Sequence, residues 1–186
     1  PETSEVTKKM FEAYFDKSEA AVFTGDAEVG AAFSALPFDH LLFTGGTQIG
    51  KKVMKAASDN LVPVTLELGG KSPVIVDENA DLSEVAKKVM RGKTMNAGQI
   101  CLAPDYLMLP KGKSQEFATA SNDAVSEMFA DLKYNDDYTS VINERHYERI
   151  NELVSDAKEK GAEVVQINPA DEDFEQQELH KIPPTL

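Results

Sequence analysis

Cysteine is nearly absent from this chain, whose 186 residues contain only Cys101. A single cysteine excludes an intrachain disulfide and any metal site built from several thiolates, and it fits a reducing compartment. Histidine is also scarce, and His40, His146 and His180 are scattered without the spacing of metal ligands. We therefore expect no metal site and a cytoplasmic location.

Basic residues are few, with 19 Lys and Arg against 32 Asp and Glu and a formal net charge of -13. Nucleic acids and anionic membranes need clustered basic residues, so neither is an expected partner. No apolar run is long enough to cross a bilayer, and Pro1–Glu5 lacks the pattern of a signal peptide. The start at Pro1 instead of Met leads us to expect a chain that was processed, engineered or cut from something longer.

Apolar residues, by contrast, are sufficient for a core, at 41% of the chain. Their pattern predicts short strands at 20–24, 40–44, 62–68, 72–76, 106–109 and 164–167, and helices at 5–15, 26–36, 51–58, 82–95, 114–132 and 143–160. Helices that alternate with buried strands indicate a parallel sheet covered on both faces. We predict an α/β fold with a doubly wound sheet, and an exposed acidic loop or tail at 168–178.

Glu67 stands at the end of a predicted buried strand, just before the Gly69-Gly70 pair where the backbone must turn. A carboxylate with apolar neighbours on both sides is either paired or used in chemistry, although a simple cap for the following turn is also possible. The glycine pair is also the only domain boundary that the sequence suggests.

The segment Gly45–Gly50 joins a predicted strand to a predicted helix. Such a loop offers unpaired backbone N–H groups and a positive helix end, which suit a phosphate. It is neither G-x-G-x-x-G nor a P-loop, so a tight turn without a ligand stays open. Cys101, just past a predicted helix end, is by its residues alone either a nucleophile or an inert thiol.

Three ordered motifs resemble those of the NAD(P)-dependent aldehyde dehydrogenases: Phe43–Gly50, Leu66–Pro73 and Asn96–Cys101. The flanking segments Ala103–Tyr106 and Ile142–His146 are similar to the branch of coniferyl and long-chain fatty aldehyde dehydrogenases. The resemblance implies that residues 1–70 are the C-terminal part of a coenzyme-binding domain. Residues 71–186 are then the N-terminal part of an α/β catalytic domain.

By this resemblance Cys101 is the nucleophile that attacks the aldehyde carbonyl, and its backbone N–H supplies half of an oxyanion hole. Glu67 is the general base that activates water against the thioester. NAD or NADP is implied to contact the glycine loop and the residue beside the nicotinamide. These positions are Gly45, Gly46, Thr47, Ile49, Gly50 and Leu68. Gly46 stands where most family members have Ser, so a side-chain hydrogen bond to phosphate is missing.

Other parts of the family pattern have no counterpart here. They are the second oxyanion donor (an Asn), the Lys-Pro-Ser-Glu segment that holds the ribose, the Glu-x-Phe-Gly-Pro segment and the dimer strands. The resemblance thus implies an internal fragment of a homo-dimeric or tetrameric enzyme that oxidises an aldehyde to its acid, and negligible activity for these 186 residues alone. A non-catalytic dinucleotide-binding or interaction module is the alternative, and a partner chain that supplies the missing elements is a third possibility.

Overall fold

The computed structural model describes residues 2–175 and 177–186, and it divides the chain into two compact units, Pro1–Gly69 and Gly70–Leu186. The predicted acidic loop at 168–178 is therefore described except at Gln176, which lies outside these ranges. None of the helices in the described ranges has both the length and the apolar character of a membrane span.

The first unit is built around a strand–helix–strand segment. Its elements are α1 (Glu2–Tyr14), α2 (Ala27–Ser34), β1 (Leu41–Gly45), α3 (Thr47–Ser58) and β2 (Val64–Leu68). The two strands pair in parallel, with Leu41 opposite Val64 and Gly45 opposite Leu68. The core consists of Leu41, Val53, Ala57 and Val62. Because α3 connects two parallel strands, the carboxyl ends of both strands meet at one edge of the sheet.

Three predictions for the first unit are wrong in detail. Residues 20–24 form no strand, since no described strand lies beside them to pair with their N–H and C=O groups. Neither Thr3 nor Ser4 caps α1, which already begins at Glu2. The strand β2 is not fully buried either: Thr65 and Glu67 are exposed, whereas Val64, Leu66 and Leu68 are half-buried. Alternation of this kind is expected of a sheet that is covered on one face only.

The second unit also contains a pair of parallel strands. Its elements are β3 (Ser72–Ile75), α4 (Leu82–Thr94), β4 (Pro104–Met108), α5 (Ser114–Met128) and α6 (Glu144–Glu159). Ser72 lies opposite Pro104, with a register irregularity just after it. The helices α4 and α5 pack against each other over the main core, whose largest fully buried apolar side chains are Met90, Phe117, Leu132, Ile167 and Val125.

Local capping chemistry sets the helix boundaries of the second unit. The Asp81 carboxylate accepts hydrogen bonds from the N–H groups of Ser83 (2.9 Å) and Glu84 (3.4 Å) at the start of α4. Asn143 accepts from the His146 N–H at 3.0 Å and begins α6, which ends before Gly161 at φ +88°. These ends agree with the predictions, because a side-chain acceptor and a left-handed glycine act within one turn of the chain.

Two predicted elements of the second unit are shorter than expected. The helix predicted to reach Leu132 stops at Met128, since Phe129 is already extended. The strand predicted at 164–167 is reduced to an antiparallel bridge between Gln166 and Thr185. In addition, Ser114 is the first residue of α5 and not its N-cap. Leu132 is fully buried all the same, so its apolar character correctly predicts a core residue, although it lies after α5 and not within it.

Candidate active site

The glycine loop opens α3 at the carboxyl end of β1. Gly46 is the N-cap, with φ -73° and ψ 145°, and no side chain caps this helix. The N–H groups of Ile49 and Gly50 both donate to the Gly46 carbonyl, at 3.0 and 2.9 Å. The preceding N–H groups, those of Thr47 and Gln48, have no acceptor within the helix. A helix start of this kind, with no acidic residue in its first turn, suits an anion such as a phosphate.

The glycines of this loop have different roles. A Cβ on Gly45 would lie 2.6 Å from the ring of Phe43, and a Cβ on Gly50 would lie 2.9 Å from Leu68 Cδ2. These two glycines allow the loop to pack closely on the strands. A Cβ on Gly46 would meet no atom within 4 Å, so the open side of the loop is at Gly46. The residues present therefore fit a dinucleotide phosphate that is approached mainly by backbone N–H groups.

The register of the sheet places the other predicted residues of the first unit beside this loop. Leu68 lies opposite Gly45, and Glu67 lies opposite Thr44. All six residues predicted to contact the cofactor, together with Glu67, are thus at the carboxyl edge of one two-stranded sheet. Glu67 is exposed within this unit, so the expected buried setting of its carboxylate is not found. The reason is that α3 packs on the opposite face of the sheet.

In the second unit Cys101 occupies a tight turn that leads into β4. The Ala103 N–H donates to the Ile100 carbonyl at 3.1 Å, so Cys101 and Leu102 are the two central residues of the turn. Cys101 is exposed, with a free thiol. The N–H groups of Cys101 and Leu102 donate to none of the described residues. An exposed thiol beside two available N–H groups is a suitable arrangement for a nucleophile with an oxyanion-binding donor.

The backbone before Cys101 is left-handed over three successive residues. Asn96 and Ala97 both have φ 51°, and Gly98 has φ +73°. Asn and Gly adopt this region readily, whereas Ala does so at a cost of about 1–2 kcal/mol. The adjacent Gln99 uses its side-chain amide to contact residues 140–142. Gln99 lies within the motif Asn96–Cys101, but the sequence does not indicate its partners, which are about forty positions away.

The sequence model of the aldehyde dehydrogenase family matches residues 3–186 of this chain. The chain belongs to the aldehyde dehydrogenase family. This family consists of oxidoreductase enzymes, so the resemblance stated from the three motifs is confirmed.

Individual relatives agree with the family assignment. The coniferyl aldehyde dehydrogenase of Pseudomonas sp. strain HR199 is 52% identical over 186 residues, which are 100% of this chain and 39% of the relative. The substrate-bound AldH of Staphylococcus aureus superposes with a TM-score of 0.78 at 37% identity, over 87% of this chain and 35% of its own. The Mycobacterium tuberculosis aldehyde dehydrogenase complexed with NAD+ superposes with a TM-score of 0.77 at 29% identity. This superposition covers 89% of this chain and 35% of the Mycobacterium chain.

These superpositions confirm the predicted α/β fold class. The chain spans 39% of the length of the Pseudomonas relative. Glu67 belongs to the first unit and Cys101 belongs to the second unit.

Proposed function

We propose that this chain is the central part of an NAD(P)-dependent enzyme that oxidises an aldehyde to a carboxylic acid. Residues 1–70 are the C-terminal part of its coenzyme-binding domain, and residues 71–186 are the N-terminal part of its catalytic domain. The observation that carries the proposal is the exposed Cys101 thiol in a turn with two available N–H groups, within a chain of this family. The name of the Pseudomonas relative supports coniferyl aldehyde or a similar aromatic aldehyde as the substrate.

In the first step the Cys101 thiolate forms a C–S bond to the carbonyl carbon, and the π electrons move to the oxygen. The backbone N–H of Cys101 donates to this oxyanion, whose charge it stabilises. The thiohemiacetal then loses hydride and becomes a thioester on the Cys101 sulfur. The turn, which the hydrogen bond from the Ala103 N–H to the Ile100 carbonyl closes, keeps these groups in place while the charge develops.

The start of α3 is proposed to hold the dinucleotide. The N–H groups of Thr47 and Gln48 would donate hydrogen bonds to the pyrophosphate on the open side of Gly46. Ile49 and Leu68 would supply apolar contacts. When bound, NAD or NADP supplies the acceptor for the hydride. The Mycobacterium relative is complexed with NAD+, which supports a nicotinamide dinucleotide as the cofactor.

Glu67 is proposed to act in the last step. Its carboxylate takes a proton from a water molecule, the water oxygen attacks the thioester carbon, and the C–S bond breaks to release the acid and the Cys101 thiolate. Exposure of Glu67 supports this role because the carboxylate must meet water.

Activity assays with Cys101→Ala and Cys101→Ser test the proposal. We expect the whole enzyme that contains this segment to reduce NAD(P) with an aldehyde, and both variants to abolish that reduction. For the 186-residue chain alone we expect no turnover, since it spans 39% of a relative's length. Turnover that persists in both variants would refute the role of Cys101. The proposal extends to a cytoplasmic, homo-dimeric or tetrameric enzyme.

Thermal midpoints measured with NAD, with NADP and without either one test the alternative of a non-catalytic module. If NAD or NADP raises the thermal midpoint of the whole protein and the protein does not oxidise aldehydes, the binding module is favoured. Oxidation that depends on Cys101 would exclude it.

A further inference from the structure

The side-chain amide of Gln99 makes three hydrogen bonds within the protein. Its Nε2 donates to the carbonyl oxygens of Asn96 and Ser140, each at 3.0 Å. Its Oε1 accepts from the Ile142 N–H, also at 3.0 Å. Both N–H donors and the acceptor are therefore used, and the residue is half-buried.

The partner segment 140–142 is held on its other side as well. The Val141 N–H donates to the His180 carbonyl at 2.9 Å, and the Val141 side chain is buried. The segment is thus bonded at Ser140 and Ile142 by the Gln99 amide and at Val141 by the His180 carbonyl.

Gln99 also fastens the left-handed turn before Cys101. The Asn96 carbonyl accepts from the Gln99 N–H at 3.0 Å as well as from Nε2, and Asn96 Nδ2 donates back to the Gln99 carbonyl at 3.2 Å. The turn includes Ala97 in a backbone conformation that is unfavourable for a residue with a Cβ. Hydrogen bonds to a fixed segment are what maintain such a conformation against relaxation.

We propose that Gln99 is a positioning residue that sets the orientation of the Cys101 thiol by tying residues 96–103 to residues 140–142. The inference rests on the proposed role of Cys101 as the nucleophile. Loss of the amide releases the left-handed turn, so the thiol and the N–H groups of Cys101 and Leu102 no longer keep one arrangement. Ile142, which Gln99 contacts, directly precedes Asn143, the N-cap of α6.

The chain offers a matched control in Gln177. Its Nε2 donates to the carbonyl oxygens of Phe174 (3.2 Å) and Lys181, and its Oε1 accepts from the Lys181 N–H at 3.1 Å. Gln177→Leu therefore removes the same three kinds of hydrogen bond from the same unit. It does so at contacts that involve neither Gln99 nor residues 100–103.

The experiment measures alkylation of Cys101 by iodoacetamide in the 186-residue chain, where this is the only thiol. Rate constants are determined for the folded and the urea-unfolded chain, for Gln99→Leu and for Gln177→Leu. All folded samples are kept below their thermal midpoints. We expect Gln99→Leu to move the folded rate at least about threefold toward the unfolded rate, and Gln177→Leu to keep the unsubstituted rate.

Gln99→Glu serves as a second variant if Gln99→Leu does not fold. It keeps the acceptor for the Ile142 N–H but loses both donations, and the same change in rate is expected. Equal rates for the unsubstituted chain and a folded Gln99 variant would overturn the proposal, as would an equal effect of Gln177→Leu. Because alkylation needs no aldehyde or dinucleotide, its outcome is separate from that of the activity assay.

Discussion

Glu67 lies directly opposite Thr44 in the parallel pairing of β2 with β1, and both residues are exposed. Opposed residues of neighbouring strands project from the same face, so this pair belongs to the face of the sheet that α3 does not cover. The next pair, Gly45 and Leu68, begins the edge that carries the glycine loop. No ion pair among the described residues involves the Glu67 carboxylate.

Glu67→Gln is expected to separate stability from catalysis. Because the side chain is exposed and has no ion-pair partner among the described residues, the free energy of unfolding should change by less than about 0.5 kcal/mol. In the whole enzyme, hydrolysis of the thioester should slow by about 10²–10⁴-fold, seen as a burst of NAD(P)H without steady turnover. Glu78→Gln, at another exposed carboxylate, is the control. Full turnover by Glu67→Gln would show that Glu67 is not the base.

Gly46→Ser is expected to improve the anion site at α3. A Cβ on Gly46 would meet no atom within 4 Å. Ser is a better N-cap than Gly by roughly 0.3 kcal/mol. The hydroxyl can also donate to a phosphate. We expect a larger rise of the thermal midpoint at a given NAD or NADP concentration. Gly30→Ser, which also adds a hydroxyl in open space, should not alter the response to dinucleotide.

Gly98→Ala is expected to destabilise the chain by about 2 kcal/mol. The residue has φ +73°, and the added Cβ would lie 3.3 Å from the Lys93 carbonyl oxygen. Gly112→Ala is the control, since Gly112 has φ +80° but nothing within 4 Å, and it should cost about 1 kcal/mol. Urea midpoints at unchanged slope provide the comparison. Equal costs would mean that the contact with Lys93 has no energetic effect.

Tyr138 is expected to make stability fall in alkaline solution. Its hydroxyl donates to the Ile182 carbonyl at 2.7 Å, and burial raises the pKa of Tyr138 above the usual value of about 10. Above that pH the unfolded state loses this proton before the folded state does. The unfolding free energy should then decrease by about 1.4 kcal/mol per pH unit until the folded-state pKa is reached.

Tyr138→Phe should remove this part of the pH dependence, at a cost of about 1 kcal/mol at neutral pH for the lost hydrogen bond. Tyr134→Phe is the control, because Tyr134 is 76% exposed. Lysine residues also titrate in this range, so the comparison between the two variants isolates the buried tyrosine. Identical alkaline profiles for both variants would contradict the prediction.

Local chemistry allowed much of the fold to be predicted. Asp26, Asp81 and Asn143 each cap a helix that begins at the next residue, since a short polar side chain bonds the N–H groups of its own first turn. The strand over 20–24 could not be judged in this way. Whether an extended segment becomes a strand depends on a partner from elsewhere in the chain.

The sequence by itself determined most of the order of helices and strands, the helix caps at Asp81 and Asn143, and the three motifs that identify the family, because these depend on residues within a few positions of one another. Only the tertiary structure decided that Glu67 is exposed and that Gln99 is bonded to Ser140 and Ile142. The first depends on which face of the sheet α3 covers. The second joins residues 41 and 43 positions apart, and no local pattern encodes such a contact.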